Sequence, residues 1–156
     1  MSKIKKVVPI FFLILYCAAM FYILFLQRVG KSSPLTYSEA LTANLNLIPF
    51  ANIYSYITAP VHTALYTKLL LEDILGNILI FIPAGIFLPF FISKFRTFRT
   101  FLFGVIVIII AVELIQLFLM LGVCDINDVI LDLIGSIIGF SIWKTKSIQH
   151  YIINLG

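Results

Sequence analysis

The sequence predicts an all-α membrane protein: a four-span transmembrane helix bundle. An extracellular helical segment, interfacial or re-entrant, is expected between spans 1 and 2. Three observations lead there. The chain of 156 residues is 62% hydrophobic and only 12% charged, against about 45–50% and about 25% in soluble domains, and its mean hydropathy is +1.11. Four stretches approach the roughly 20 apolar residues that a membrane helix needs. The basic residues sit in short clusters beside those stretches, as membrane topology requires. That clustering also argues against nucleic acid as a partner, despite a formal net charge of +4 and a pI near 9.1. The length fits one membrane domain, residues 1–156.

The first span is expected over residues 7–26, VVPIFFLILYCAAMFYILFL. Lys3, Lys5 and Lys6 before it look like the n-region of a signal peptide. The apolar run is too long for an ordinary h-region, however, and no small-x-small cleavage site follows, so a retained span is the better reading. Residues 27–72 then form a connection too apolar for a free loop. A short helix is expected over 37–45, with Ser38 or Thr36 near its start. Pro49 and Pro60 argue against one continuous helix beyond it. Residues 50–71 read as one or two short helices carrying Tyr54, Tyr56 and Tyr66, aromatics that favour the headgroup level. Non-helical backbone around Asn46-Leu47-Ile48-Pro49 is acceptable at membrane depth only if it is buried in protein or faces a watery cavity.

The second span is expected over 73–92, DILGNILIFIPAGIFLPFFI, with Pro83 and Pro89 kinking or ending it. The third is expected over 101–121 and the fourth over 126–143. Trp143, next to Lys144, reads as an interfacial anchor. Cys17 and Cys124 fall in different parts of the bundle with no C-x-x-C spacing, and read as unpaired small residues. His62 and His150 read as surface residues, since no spacing marks either as a ligand. Orientation follows from the short loops. Eight basic residues (Lys3, Lys5, Lys6, Lys94, Arg96, Arg99, Lys144 and Lys146) lie on one side, against Arg28, Lys31 and Lys68 on the other. Both termini are therefore expected in the cytoplasm.

With that orientation, nearly every polar side chain within the spans falls in the outer leaflet. These are Asn77, Glu113, Gln116, Asp128 and Asp132, with Asp125 at the mouth and Asn46 on the outer connection. Glu113 and Gln116 share a helix face, and Asp125, Asp128 and Asp132 share another. Gly135 and Gly139 continue the acidic stripe as a G-x-x-x-G, a close-packing surface for another helix. An Asp at a helix centre costs about 2.5–3.5 kcal/mol to insert, while Leu, Ile, Phe or Val each return about 0.3–0.6. The ten such apolar residues of 126–143 offset roughly 3–6 kcal/mol in total. The fourth span is thus marginal unless Asp128 sits at the interface and Asp132 is paired or faces water. A bland reading stands beside the functional one: Asp125 and Asp128 can cap the helix, and Asn77 can be interhelical glue.

NLIPF (46–50), GNILIFIPAG (76–85), ELIQ (113–116) and DINDVILDLIGSIIG (125–139), in this order, resemble the VanZ-like family of small bacterial membrane proteins. The resemblance covers residues 44–140. It implies a multi-pass helical protein of the bacterial cell membrane, of a family whose founding member is associated with resistance to the glycopeptide teicoplanin. It further implies functional roles for Asn46, Pro49, Asn77, Pro83, Glu113, Gln116, Asp128, Asp132 and Gly135. Two departures stand out. The family usually carries Asn at the position of Asp132, and usually an Arg where this chain has Gly122-Val123-Cys124. Losing that counter-ion disfavours anion binding and favours a cation or amine.

Three functions are compatible with these residues. One is a binding or shielding protein, whose outward pocket of Asn46, Pro49, Asn77, Glu113, Gln116, Asp128 and Asp132 engages a lipid-linked cell-wall precursor or a lipoglycopeptide. A second is a membrane-embedded enzyme on a lipid-linked substrate, its carboxylates acting as acid and base or holding a divalent cation. No Ser/His, Cys/His or HExxH constellation supports that enzyme, and no cofactor or metal spacing is evident. A transporter is third, although four spans without a repeat are few. Membrane lipid is the expected surrounding partner, and the oligomeric state stays open.

Overall fold

A computed structural model of the protein describes residues 3–29, 36–59, 63–146 and 148. His62, His150 and Lys31 lie outside the described residues. Among the described residues, four helices are long and apolar enough to cross a membrane: α1 (Lys3–Leu24), α4 (Ala64–Phe91), α5 (Phe98–Phe118) and α6 (Ile126–Trp143). Between α1 and α4, the described residues form the short α-helices α2 (Tyr37–Ala43) and α3 (Ala51–Thr58) and a two-residue strand, β1 (Leu45–Asn46). A second such strand, β2 (Cys124–Asp125), immediately precedes α6.

The expected helix near 37 starts at Thr36. Its backbone N–H donates to the Glu39 carboxylate at 3.0 Å, and its hydroxyl donates to the same oxygen. These bonds, the hydroxyl's first, hold the Glu39 carboxyl below its ordinary range. α4 begins at Ala64, well before the expected 73, and runs for 28 residues. Apolarity set the expected boundary, but helix formation does not require it. Thr63 caps the helix by accepting from the Tyr66 N–H, and the first turns carry an exposed Lys68–Glu72 pair at i,i+4. α3 lies against this extension. The Tyr56 and Thr67 hydroxyls meet at 2.9 Å, and the Tyr56 ring sits edge-on to Tyr66.

Pro83 and Pro89 do not end α4, which continues to Phe91. Groups from other elements meet carbonyls near both prolines, as membrane helices allow. The Tyr16 hydroxyl donates to the Ile80 carbonyl at 2.9 Å, and Arg96 Nε donates to the Pro89 carbonyl at 3.3 Å. α5 stops at Phe118 rather than 121. Met120 adopts φ 56°, and the Leu121 N–H returns to the Gln116 carbonyl at 2.8 Å, a Schellman-type stop with Met where Gly is usual.

The principal helix pair is α4 with α6. Gly85 of α4 faces Gly139 and the Ser136 carbonyl of α6, while Gly135 and Gly139 lie under the Ile78 and Ile82 carbonyls of α4. A Cβ at any of the three would collide with backbone atoms. The G-x-x-x-G stripe lies against α4, the second span. Beside this crossing, Phe81, Phe101, Val105, Ile109, Phe140 and Trp143 form the buried core. Phe140 stacks on Phe101 at 4.4 Å between centroids and meets Trp143 at 5.5 Å. Trp143 is thus core, not the expected interfacial anchor: α5 covers the face that was assigned to headgroups. α1 packs loosely on the outside, with only 6% of its apolar window buried.

Candidate functional site

The polar side chains gather at the end of the bundle that holds the start of α6, opposite the aromatic core. The organising residue is Asp125. It caps α6, its Oδ1 accepting from both the backbone N–H and the side-chain Nδ2 of Asn127, each at 2.8 Å. Its Oδ2 accepts from Asn46 Nδ2, also at 2.8 Å. The backbone explains how residues 79 apart in sequence meet. β1 and β2 pair in parallel, Leu45 opposite Cys124 and Asn46 opposite Asp125, and the Cys124 N–H donates to the Asn44 carbonyl at 2.8 Å. From the far side of the network, Glu113 of α5 accepts the Asp125 N–H at 3.3 Å.

A second link runs from the loop after β1. The Phe50 N–H donates to Asn127 Oδ1, and Phe50 itself holds φ 60°, the left-handed region that side chains rarely adopt. Asn127 is thereby used on both its donor and its acceptor sides, and is 7% exposed. A third link joins the principal helix pair: Asn77 Nδ2 of α4 donates to Asp128 Oδ1 at 2.7 Å. Glu113, Asp125 and Asp132 are all buried.

The structure brings some expected site residues together and separates others. Asn46 joins Asp125, near Glu113, and Asn77 joins Asp128. Gln116, fully buried, turns away toward the first span, and its Nε2 donates to the Leu24 carbonyl at 2.8 Å. The acidic stripe therefore does not face Glu113 and Gln116 together; Asp128 faces α4, as do the glycines below it. Asp132 is buried one turn deeper in α6, and Pro49 stands exposed on the loop. Asn127 was missed by the sequence reading. Its signal was an amide two residues after a helix-capping Asp, a spacing suited to an Asx-type turn.

The electrostatics of this end are read by Cys124 on β2. Burial pushes its thiol up first, and the charges of Glu113, Asp125 and Asp128 push it further. Among the described residues, no group of three or more His, Cys, Asp and Glu side chains is arranged to hold a metal ion. The nearby cavity, about 20 Å³ between Phe50, Ile53, Leu70, Asp73, Ile74, Asn127 and Leu131, is too small for more than a water molecule. Two larger grooves, about 520 and 380 Å³, flank α1 where it meets α4, and both are lined by apolar side chains around Tyr16 and Phe87.

No curated protein and no solved structure matches this chain. A family model described as VanZ/LLP1 matches residues 12–148. That stretch contains all four expected motifs, both strands, and every residue of the Asp125 network. By this match the chain belongs to the VanZ/LLP1 family.

Proposed function

We propose that this multi-pass membrane protein modulates the susceptibility of a bacterial cell envelope to glycopeptides of the teicoplanin type. It does so by engaging a lipid-linked envelope component or a lipoglycopeptide through the polar groups around Asp125 and Asp128. Both termini lie in the cytoplasm in this reading, and the α6 N-terminal end faces outward, in keeping with the eight basic residues in the alternate loops and termini. The observation that carries it is the burial of Glu113, Asp125, Asn127 and Asp132 at one end of an otherwise apolar bundle. Ionisable groups within membrane helices are costly, and they persist mainly where they do something.

Capping explains Asp125, and gluing explains Asn77, but neither explains why Glu113 is a carboxylate. Charge is therefore the property to remove. Glu113→Gln and Asp128→Asn keep the shape and an acceptor for the Asp125 N–H and for Asn77. In a host whose teicoplanin protection depends on the native chain, the double variant should lose that protection several-fold while remaining in the membrane at the native level. Undiminished protection at equal abundance would sink the proposal.

A further inference from the structure

We infer that the loop Leu47-Ile48-Pro49-Phe50 is an interfacial lip at the α6 N-terminal end, its backbone at the edge of the hydrocarbon layer and its apolar side chains reaching down to the upper acyl chains. The inference concerns this loop alone and does not depend on which ligand the carboxylates engage.

The height of the loop is fixed by its two ends. Asn46 is bonded to Asp125, the cap of α6, and the Phe50 N–H is bonded to Asn127 in the first turn of the same helix. Residues 47–49 therefore span a gap between two points at the start of α6. That helix has 18 residues, about 27 Å at about 1.5 Å per residue, scarcely the roughly 30 Å of a hydrocarbon core. Its first turn consequently sits at the edge of the hydrocarbon layer, and the lip sits there with it.

What the lip presents at that height is apolar. Leu47 is 63% and Ile48 69% exposed, and Phe50 is exposed beside them. Leu45 and Val123, on and beside the paired strands, extend the patch toward the exposed end of α5 at Phe118 and Leu119. It is thus continuous with the lipid-facing surface of a span. From Ala40 to Thr67 the chain carries no Asp, Glu, Lys or Arg. Loops that meet water at the edge of a membrane ordinarily carry polar and charged groups, and a contiguous apolar patch there marks an interaction surface. The Tyr54 and Ile57 side chains, exposed on α3, extend the same character away from the bundle. Irregular backbone in contact with lipid must still satisfy its own polar groups. Here the strand pair, the Phe50–Asn127 bond and the return of the Ala51 N–H to the Ile48 carbonyl at 3.4 Å satisfy groups at both ends of the lip, and the groups between them lie at the watery edge.

The test places a fluorescent NBD label on a single cysteine, Ile48→Cys, in a Cys17→Ser, Cys124→Ser chain reconstituted into phosphatidylethanolamine and phosphatidylglycerol vesicles. Lys68→Cys, on the exposed charged turn of α4, is the reference. The Ile48 label should emit further to the blue and be quenched by lipids bearing a nitroxide high on the acyl chain. Aqueous iodide should quench it several-fold less than the Lys68 label. Iodide quenching equal to that of the reference overturns the inference, since the lip then faces water. Shielding from both quenchers also overturns it and assigns the patch to a second copy of the chain. If the serine background does not purify, Leu47→Trp in the otherwise native chain reads the same contrast by brominated-lipid quenching, with Trp143 alone as baseline.

Discussion

At the scale of single residues, the polar end is organised by hydrogen bonds that outnumber what a cap needs. Asp125 accepts three, from one backbone and two side-chain donors. The sequence placed Asp125 at a helix start, but nothing in its spacing pointed to Asn46 as a partner. The carboxylates around Cys124 give a readable consequence. An alkylating reagent attacks the thiolate, and a thiol raised above its ordinary value of about 8.5 has less thiolate at any pH below that value. In a Cys17→Ala chain, Cys124 should therefore be alkylated more slowly at pH 8 than an exposed cysteine. Glu113→Gln removes one of the charges responsible and should speed the reaction at fixed pH, while shifting its rate profile toward lower pH. The sign for stability follows: folding holds the thiol proton, so this contribution is lost as pH rises past the ordinary thiol range. A profile unaffected by Glu113→Gln would show that the Glu113 charge has no part in the shift.

Among the helices, three glycines decide the packing of α4 on α6. A methyl group on Gly135 would meet the Ile78 carbonyl, a backbone atom that cannot swing aside, whereas one on Gly76 would meet nothing within 4 Å. Gly135→Ala should therefore destabilise the bundle by about 1–3 kcal/mol, the ordinary range for overpacking. Gly76→Ala should be neutral or stabilising by about 0.5–1 kcal/mol, since Gly is a poor residue in a helix interior. Unfolding of the detergent-solubilised protein in a denaturant series measures both, and equal effects would refute the close crossing. The G-x-x-x-G itself was legible at 135–139. Its partner was not, because the facing surface of α4 is built from one glycine and two backbone carbonyls, Ile78 and Ile82, which leave no pattern of residue types. The early start of α4 was hidden for a related reason: hydropathy locates the hydrocarbon boundary, while a cap at Thr63 locates the helix boundary.

For the molecule as a whole, the bundle is unevenly held. α4, α5 and α6 share the aromatic core, whereas α1 lies outside it, and among the described residues it is tied by Tyr16 to the Ile80 carbonyl and by Gln116 to the Leu24 carbonyl. Hydrogen bonds between membrane helices contribute about 0.6 kcal/mol on average and up to about 1.7. Tyr16→Phe combined with Gln116→Leu should therefore loosen α1 by roughly 1–3 kcal/mol and leave the rest of the fold intact. Amide hydrogen exchange checks this: protection in residues 7–24 should fall while that of α5 and α6 stays. Uniform loss across all four spans would mean that α1 belongs to the same cooperative unit.

The sequence by itself determined the membrane class, the four spans, the family, the glycine stripe and the acidic start of the last helix. Each of these is carried by local composition or by periodicity along one element, which a bilayer reads almost one segment at a time. Only the tertiary structure decided that Asp125 belongs with Asn46, that Asp128 belongs with Asn77, and that Gln116 belongs with the first span. It likewise turned Trp143 inward. The first pairing depends on the parallel union of two two-residue strands, Leu45–Asn46 with Cys124–Asp125, and the other two on how the helices pack. Such short strands have no period of their own, so the contact that assembles the polar end exists only once the helices on either side have brought it together.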